Sequence, residues 1–359
     1  MNNNENRILY LDIAKGIGII LIAMGHLSYI FNNPVNIVAA GFKIAVFYII
    51  SGLLFHLKYT GQEIDIGAFN KKNALGLGVS YVLFSLVVIL THIPSANFSK
   101  LLVKDLWAIF SLRGLSTLWF LPTLFFGEVL LAKLYQYTRK EVSADKKKIV
   151  FSLALFFPII VSLLLYFAHV DFRTLNIYVA YPLLTIYKSL VAFFFLLVGY
   201  IMYDYRQLVD NHLAGIISGA IAIGAGLLNK GVDLNNGNLG KIFILFYLTG
   251  ICGSWFVLYI SKQLHEKVKE AAVFAYCGKE SLFIMCSHTT FRLVANILKL
   301  QYGIFKTNKV TWKYYFCWFE NVLLLFALEA CLIVVKNKLM HYFAAKTENE
   351  TIKKALLKI

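Results

Sequence analysis

The chain has 359 residues, a net charge of +16, 59% hydrophobic residues and only 15% charged ones, where a soluble protein carries about a quarter charged. Mean hydropathy is +0.68. These values exclude a pair of ordinary soluble domains and predict one all-α unit, a polytopic transmembrane helix bundle.

The basic residues lie between the apolar runs rather than in one patch. That distribution argues against nucleic acid as a partner and for topology-setting loops beside anionic membrane lipid. The five cysteines form no CxxC pair and lie mostly inside apolar runs, so neither a disulfide framework nor a zinc site is expected.

In chain order, about ten spans are predicted, at residues 8–30, 35–57, 74–93, 117–137, 149–169, 183–204, 213–229, 239–260, 279–299 and 315–335. The first run is too long for a cleaved signal peptide and is expected to stay as the first helix. The seventh, around IISGAIAIGAGLL, is short and glycine-rich. LLVKDLWAIFSL, residues 101–112, is amphipathic and charged, and reads as an interfacial helix. With a cytoplasmic N-terminus, 20 of the 35 basic residues fall on the cytoplasmic side and 11 on the other. Lys15, Lys43, Lys188 and Lys279 fall in or at the ends of spans. This bias places the N- and C-termini in the cytoplasm. Residues 1–340 are expected to form the membrane domain and 341–359 a polar cytoplasmic tail. Oligomeric state leaves no mark in the sequence.

The first span, RILYLDIAKGIGIILIAMGHLSYI, carries Asp12, Lys15 and His26. Eleven residues at 100° each turn the helix by about 1100°, three turns plus about 20°, so Lys15 and His26 share a face about 16 Å apart along the axis. Asp12 precedes Lys15 by three residues and can pair with it. Ionisable groups in a span face a cavity or each other and mark function by default. The alternatives are an ion pair that snorkels to the interface and a histidine that merely packs.

Three later stretches complete a pattern: FKIAVFYIISGLLF, STLWFLPTLFFGEVL and CGKESLFIMCSH. With LDIAKGIGIILIAMGH they resemble, in order and over nearly the whole chain, the membrane-bound acyltransferase-3 family. The resemblance is nearest to its fucose 4-O-acetylase-like branch. Most members have arginine where this chain has Lys15. The matching residues are Lys15 and His26 in the first helix and Phe47, Tyr48, Ser51 and Gly52 in the second. Trp119, Phe120 and Leu121 follow, then Gly278, Ser281, Leu282 and His288.

The resemblance implies an acyl-CoA-dependent O-acetyltransferase of the bacterial cytoplasmic (inner) membrane. It would move an acetyl or other short acyl group from acetyl-CoA to a hydroxyl of a surface polysaccharide or glycolipid. Acetyl-CoA is then a donor substrate and no cofactor is bound. His26 is the first candidate for the base that activates the acceptor hydroxyl, and His288 the second. Lys15, oriented by Asp12, is the candidate for holding the polyanionic donor. Trp119 and Phe120 read as interfacial anchors or as a platform for a sugar ring. Ser51, beside Gly52, reads as a close-approach position or as part of the substrate site. Glu280 lies eight residues before His288, about 80° around one helix. It does not support that imidazole directly and is assigned to the substrate side.

Other ionisable residues carry less. Glu128 is expected to pair with another helix. Lys43 and Lys188 are buried candidates without a role. His56, His92, His169, His212, His265 and His341 read as ordinary surface histidines. No HExxH, P-loop or GxSxG is present, so a metalloprotease, an NTPase and a nucleophile-elbow hydrolase are disfavoured. A proton-coupled transporter or flippase of a glycan precursor is the alternative function, although matching halves with broken helices are not visible.

Overall fold

The computed structural model describes residues 8–28, 33–139, 143–268, 271–305 and 310–346. Their α-helices are α1 Leu9–Leu27, α2 Pro34–Ala40, α3 Ala45–Tyr59, α4 Ile66–His92, α5 Phe98–Phe110, α6 Phe120–Arg139, α7 Ala144–Phe167, α8 Ile177–Met202, α9 His212–Leu228, α10 Phe243–Lys267, α11 Ala272–Lys279, α12 Ser281–Thr290, α13 Leu293–Phe305 and α14 Trp312–Lys346. A 3₁₀ turn, Ser116–Trp119, leads into α6, and another, Tyr203–Asp210, follows α8. Two short antiparallel strands, β1 Val232–Asp233 and β2 Asn238–Leu239, lie between α9 and α10.

Among the described residues, eight spans are long and apolar enough to cross a membrane, or nine with the bent pair α12–α13. The chain is an integral multi-pass membrane protein. The ten runs predicted from sequence all find helices, with three differences. The seventh becomes α9, only 17 residues, or about 26 Å of helix. Its Gly215 and Gly219 seat against the rings of Tyr259 and Phe256 on α10. The ninth is not one helix: α12 and α13 are bent by 58° to each other. The second is interrupted by a turn at residues 41–44, between α2 and α3. The predicted interfacial helix is α5, partly exposed, with Asp105 and Ala108 buried. The boundary predicted at residue 341 falls inside α14, which runs to Lys346. Residues 347–359 of the predicted tail lie outside the described residues.

Local sequence explains many helix starts. Asn33 accepts a hydrogen bond from the Asn36 amide at 3.0 Å, and Pro34 occupies the first position of α2. Asp65, Ser143, Asn176 and Asn211 cap α4, α7, α8 and α9 through their side chains as well.

Helices α3 and α8 are the most enclosed, while α4 and α7 expose most of their apolar surface. Between spans in lipid, close van der Waals packing replaces the hydrophobic effect. Gly52 on α3 meets the Leu196 carbonyl of α8, and Gly199 on α8 meets the Ile49 carbonyl of α3. A methyl at either place would overlap the partner backbone. Gly16 and Gly278 do the same for α1 and α11: Gly16 lies on the Phe274 carbonyl and Gly278 on that of Asp12.

Long-range polar contacts fix the partners of α1. At its carboxyl end Ser28, Asn33 and Tyr314 share hydrogen bonds of 2.5, 3.0 and 3.1 Å. The Trp318 indole donates to the Met24 carbonyl at 2.8 Å. Far along α14, Lys336 pairs with Glu280, which follows α11, at 2.7 Å. Since α11 packs on the first half of α1, α14 runs antiparallel to α1.

Candidate active site

The site forms where the end of α1 meets α12. Both helices carry a histidine in their last turn, His26 and His288. The two rings face each other with centroids 5.2 Å apart and planes tilted by 53°. The His26 side chain has open space around it although protein encloses it, so it lines an internal chamber. His288 is completely buried behind it.

The surroundings of His288 assign its nitrogens. Nδ1 lies 2.6 Å from the Ile284 carbonyl oxygen. A carbonyl only accepts, so Nδ1 carries the hydrogen, and a neutral ring then has its lone pair on Nε2. That Nε2 is buried and has no hydrogen-bond partner among the described residues. A buried acceptor left alone costs free energy, and here it belongs to the ring that faces His26.

Neighbouring groups hold α12 in place. Thr117, in the turn before α6, donates to the Met285 carbonyl at 2.8 Å and lies 2.9 Å from the Thr289 hydroxyl. The Ser287 hydroxyl lies 2.6 Å from Oε2 of Glu329, a buried residue of α14.

A third ionisable group reaches the imidazoles. Lys43 sits at the break between α2 and α3. Its ammonium lies so close to Gly25 that a Cβ there would overlap it. Its charge acts on both His26 and His288. Sequence reasoning gave Lys43 no role. The one available signal was a lysine inside an apolar run, and nothing local tied it to His26.

Asp12 and Lys15 pair along the first helix as their three-residue spacing predicts. Lys15 Nζ lies 3.9 Å from Asp12 Oδ1. Asp12 is buried, while 24% of the Lys15 side chain is exposed. The pair lies in the amino-terminal half of α1 and His26 in its last turn, about 16 Å beyond Lys15 at 1.5 Å per residue.

The other predicted residues are placed differently. Trp119 is not an outward-facing anchor: it is buried, and the Lys188 ammonium stands 4.4 Å from its ring centroid. Phe120 is buried too, stacked on Tyr48 at 5.1 Å. Gly52 makes the close helix approach, and Ser51 beside it is half-buried. Glu280 and His288 do not share one helix, because α11 ends at Lys279 and α12 begins at Ser281. Glu280 instead forms the buried pair with Lys336. Glu128 accepts a hydrogen bond from Asn73 of α4 at 2.8 Å, the cross-helix partner expected for it. Three predicted surface histidines are engaged: His56 is buried with Nδ1 at 2.8 Å from the Tyr200 carbonyl, His92 pairs with Asp105 at 2.7 Å, and His212 Nδ1 lies 2.9 Å from the Tyr259 hydroxyl.

The segment holding β1 and β2 adds polar groups near this region. Lys188 donates to the Asn235 carbonyl at 3.4 Å. Arg113 donates to the side chains of Asn235 and Asn236 at 2.7 and 3.3 Å. Burial lowers the Arg113 pKa from its ordinary value. The Asp233 carboxylate acts electrostatically on Lys43, Lys188 and Arg113.

Two imidazoles in ring contact, one of them open to the chamber, with an ammonium beside them, suit proton transfer coupled to charge development on oxygen. Comparison with known families decides the chemistry. The acyltransferase-3 family model, described as an acyltransferase domain, matches residues 8–335. The chain belongs to this acyltransferase family. No curated protein and no solved structure matches it. The match takes in α1 through most of α14, so Asp12, Lys15, His26, Lys43 and His288 of this acyltransferase all lie inside the family domain.

Proposed function

We propose that this membrane acyltransferase moves an acetyl or other short acyl group from acyl-CoA to a hydroxyl of a surface polysaccharide or lipid-linked sugar. The membrane would be the bacterial cytoplasmic membrane. The observation that carries the reading is the facing pair His26–His288 at the chamber wall.

An alcohol attacks a thioester slowly until a base takes its proton. His26, open to the chamber, is positioned to meet the acceptor hydroxyl. It takes the hydroxyl proton while the acceptor oxygen bonds to the acyl carbon. The carbon–sulfur bond then breaks, and the proton passes to the leaving thiolate. The products are the O-acyl sugar and free CoA. His288, with Nδ1 tied to Ile284, offers its Nε2 lone pair as a second proton acceptor beside the first.

Lys15 and Asp12 serve the donor. Acyl-CoA is a cytosolic polyanion, and a partly exposed cation near the amino end of α1 attracts it electrostatically. The offset of about 16 Å to His26 suits a donor whose phosphates stay near the surface while its arm reaches inward. Trp119 and Phe120 remain the aromatic candidates on the acceptor side and Ser51 the polar one, whereas the ion pair with Lys336 engages Glu280 elsewhere.

The test is transfer of labelled acetyl from acetyl-CoA to glycan or lipid-linked sugar in membrane vesicles. Wild type should label the acceptor, and His26→Ala should lose that labelling at equal protein level. Near-normal turnover by His26→Ala removes its role as base. Uptake of a glycan precursor without transfer would favour a carrier instead.

A further inference from the structure

Cations inside the bundle mostly have partners. Lys336 pairs with Glu280. Lys188 rests on the Asn235 carbonyl and the Trp119 ring. Arg113 binds Asn235 and Asn236. Lys43 is different: among the described residues no hydrogen bond or ion pair to its ammonium is made. The carboxylate of Asp233 acts on it electrostatically without forming an ion pair. An ammonium without a bonded partner inside a membrane bundle is unfavourable to keep.

The fold nevertheless holds it in place. Gly41 packs on the Thr249 side chain, and Phe42 fills the space over Gly253, both on α10. These contacts clamp the turn that carries Lys43. Gly25 leaves room for the ammonium where any side chain would overlap it. The result is a cation with unused N–H donors beside the two facing imidazoles.

We infer that Lys43 is a further catalytic residue, whose ammonium hydrogen-bonds the acyl carbonyl oxygen and holds it as an oxyanion during transfer. This rests on the acyl-transfer reading above. As the acceptor oxygen bonds to the carbonyl carbon, the C=O π pair moves onto the carbonyl oxygen. The negative charge forms beside a positive charge already in place, so little reorganisation is needed. When the pair returns, the carbon–sulfur bond breaks, and the leaving thiolate takes the proton held by imidazole. Lys43 stays protonated throughout, and nothing is oxidised or reduced. A role in holding CoA phosphates fits less well. Those phosphates are a pantetheine arm away from the thioester, whereas Lys43 acts on the imidazoles themselves.

The test compares Lys43→Met, Lys43→Arg and Gly25→Ala with wild type and His26→Ala in vesicles, reading kcat, KM for acetyl-CoA and thermal unfolding. Lys43→Met should lower kcat by about 10²- to 10³-fold with KM within about twofold. Its unfolding temperature should equal or exceed wild type, because an uncompensated charge has been removed. Lys43→Arg should recover part of the rate. Gly25→Ala, which keeps the charge but displaces it, should also lose rate. Wild-type kcat in Lys43→Met, with His26→Ala inactive, overturns the inference and leaves the acyl-transfer reading standing. A fall in kcat matched by a lower unfolding temperature assigns Lys43 to folding and overturns it too. Absence of transfer by wild type from any acyl donor overturns the reading itself.

Discussion

The Nδ1–H of His288 donates to the Ile284 carbonyl at 2.6 Å, and that bond directs the lone pair of the neutral ring to Nε2. The same ring stands 5.2 Å from that of His26. One histidine therefore has a fixed tautomer, while its partner opens to the chamber.

Both imidazoles are expected to act as one proton-handling unit. His288→Ala and His26→Ala should each lower kcat by about 10²- to 10⁴-fold. The double variant should be little worse than either single one, as groups that act together are non-additive. Steady-state transfer in vesicles, normalised to protein level, measures this. A double variant whose loss is the product of the two singles would separate their roles.

The Asp12–Lys15 pair should govern the donor rather than the chemical step. Lys15→Ala is expected to raise KM for acetyl-CoA with kcat less affected. Lys15→Arg should stay active, since a cation of similar reach remains. Unchanged KM and kcat in Lys15→Ala would return the pair to a folding role. The readout is initial rate against acetyl-CoA concentration.

The buried Glu280–Lys336 pair predicts a stability effect of about 3–5 kcal/mol when one partner alone is neutralised, because the other charge is left in a poor solvent. Glu280→Gln and Lys336→Met should each lower the unfolding temperature in detergent. The double variant should recover much of the loss. A double variant as unstable as the sum of its singles would show that the pairing is not what matters.

The glycine contacts predict a site-dependent response to one added methyl. Gly52→Ala must push α3 off α8 at the Leu196 carbonyl, and overpacking of this kind costs about 1–3 kcal/mol. Gly76→Ala on α4 meets nothing within 4 Å and should not destabilise. Unfolding temperatures of the two purified variants test the contrast. Equal stability would show that the α3–α8 seam can relax.

Much of this protein is written locally. Spans and the Asp12–Lys15 pair depend on runs of neighbouring residues and on helical periodicity, so they were legible in the sequence. The break in the ninth span was not. Ser281–Thr290 and Leu293–Phe305 read as one apolar run, and only packing of α12 against α1 and the turn at Ser116–Trp119 decides that they bend. Trp119 could not be told apart from an interfacial anchor, because its cation partner Lys188 arrives from α8.

The sequence by itself determined a multi-pass helical membrane protein with a polar face on its first helix, because hydropathy and a period of 3.6 residues are properties of short windows. Tertiary structure alone decided which distant groups meet: His288 against His26, Lys43 over Gly25, Lys336 with Glu280. The physical reason is that in lipid these pairings depend on backbones approaching at glycines and on buried charges finding partners. The glycines and the buried charges are visible in the sequence, but which distant partner each one meets is not.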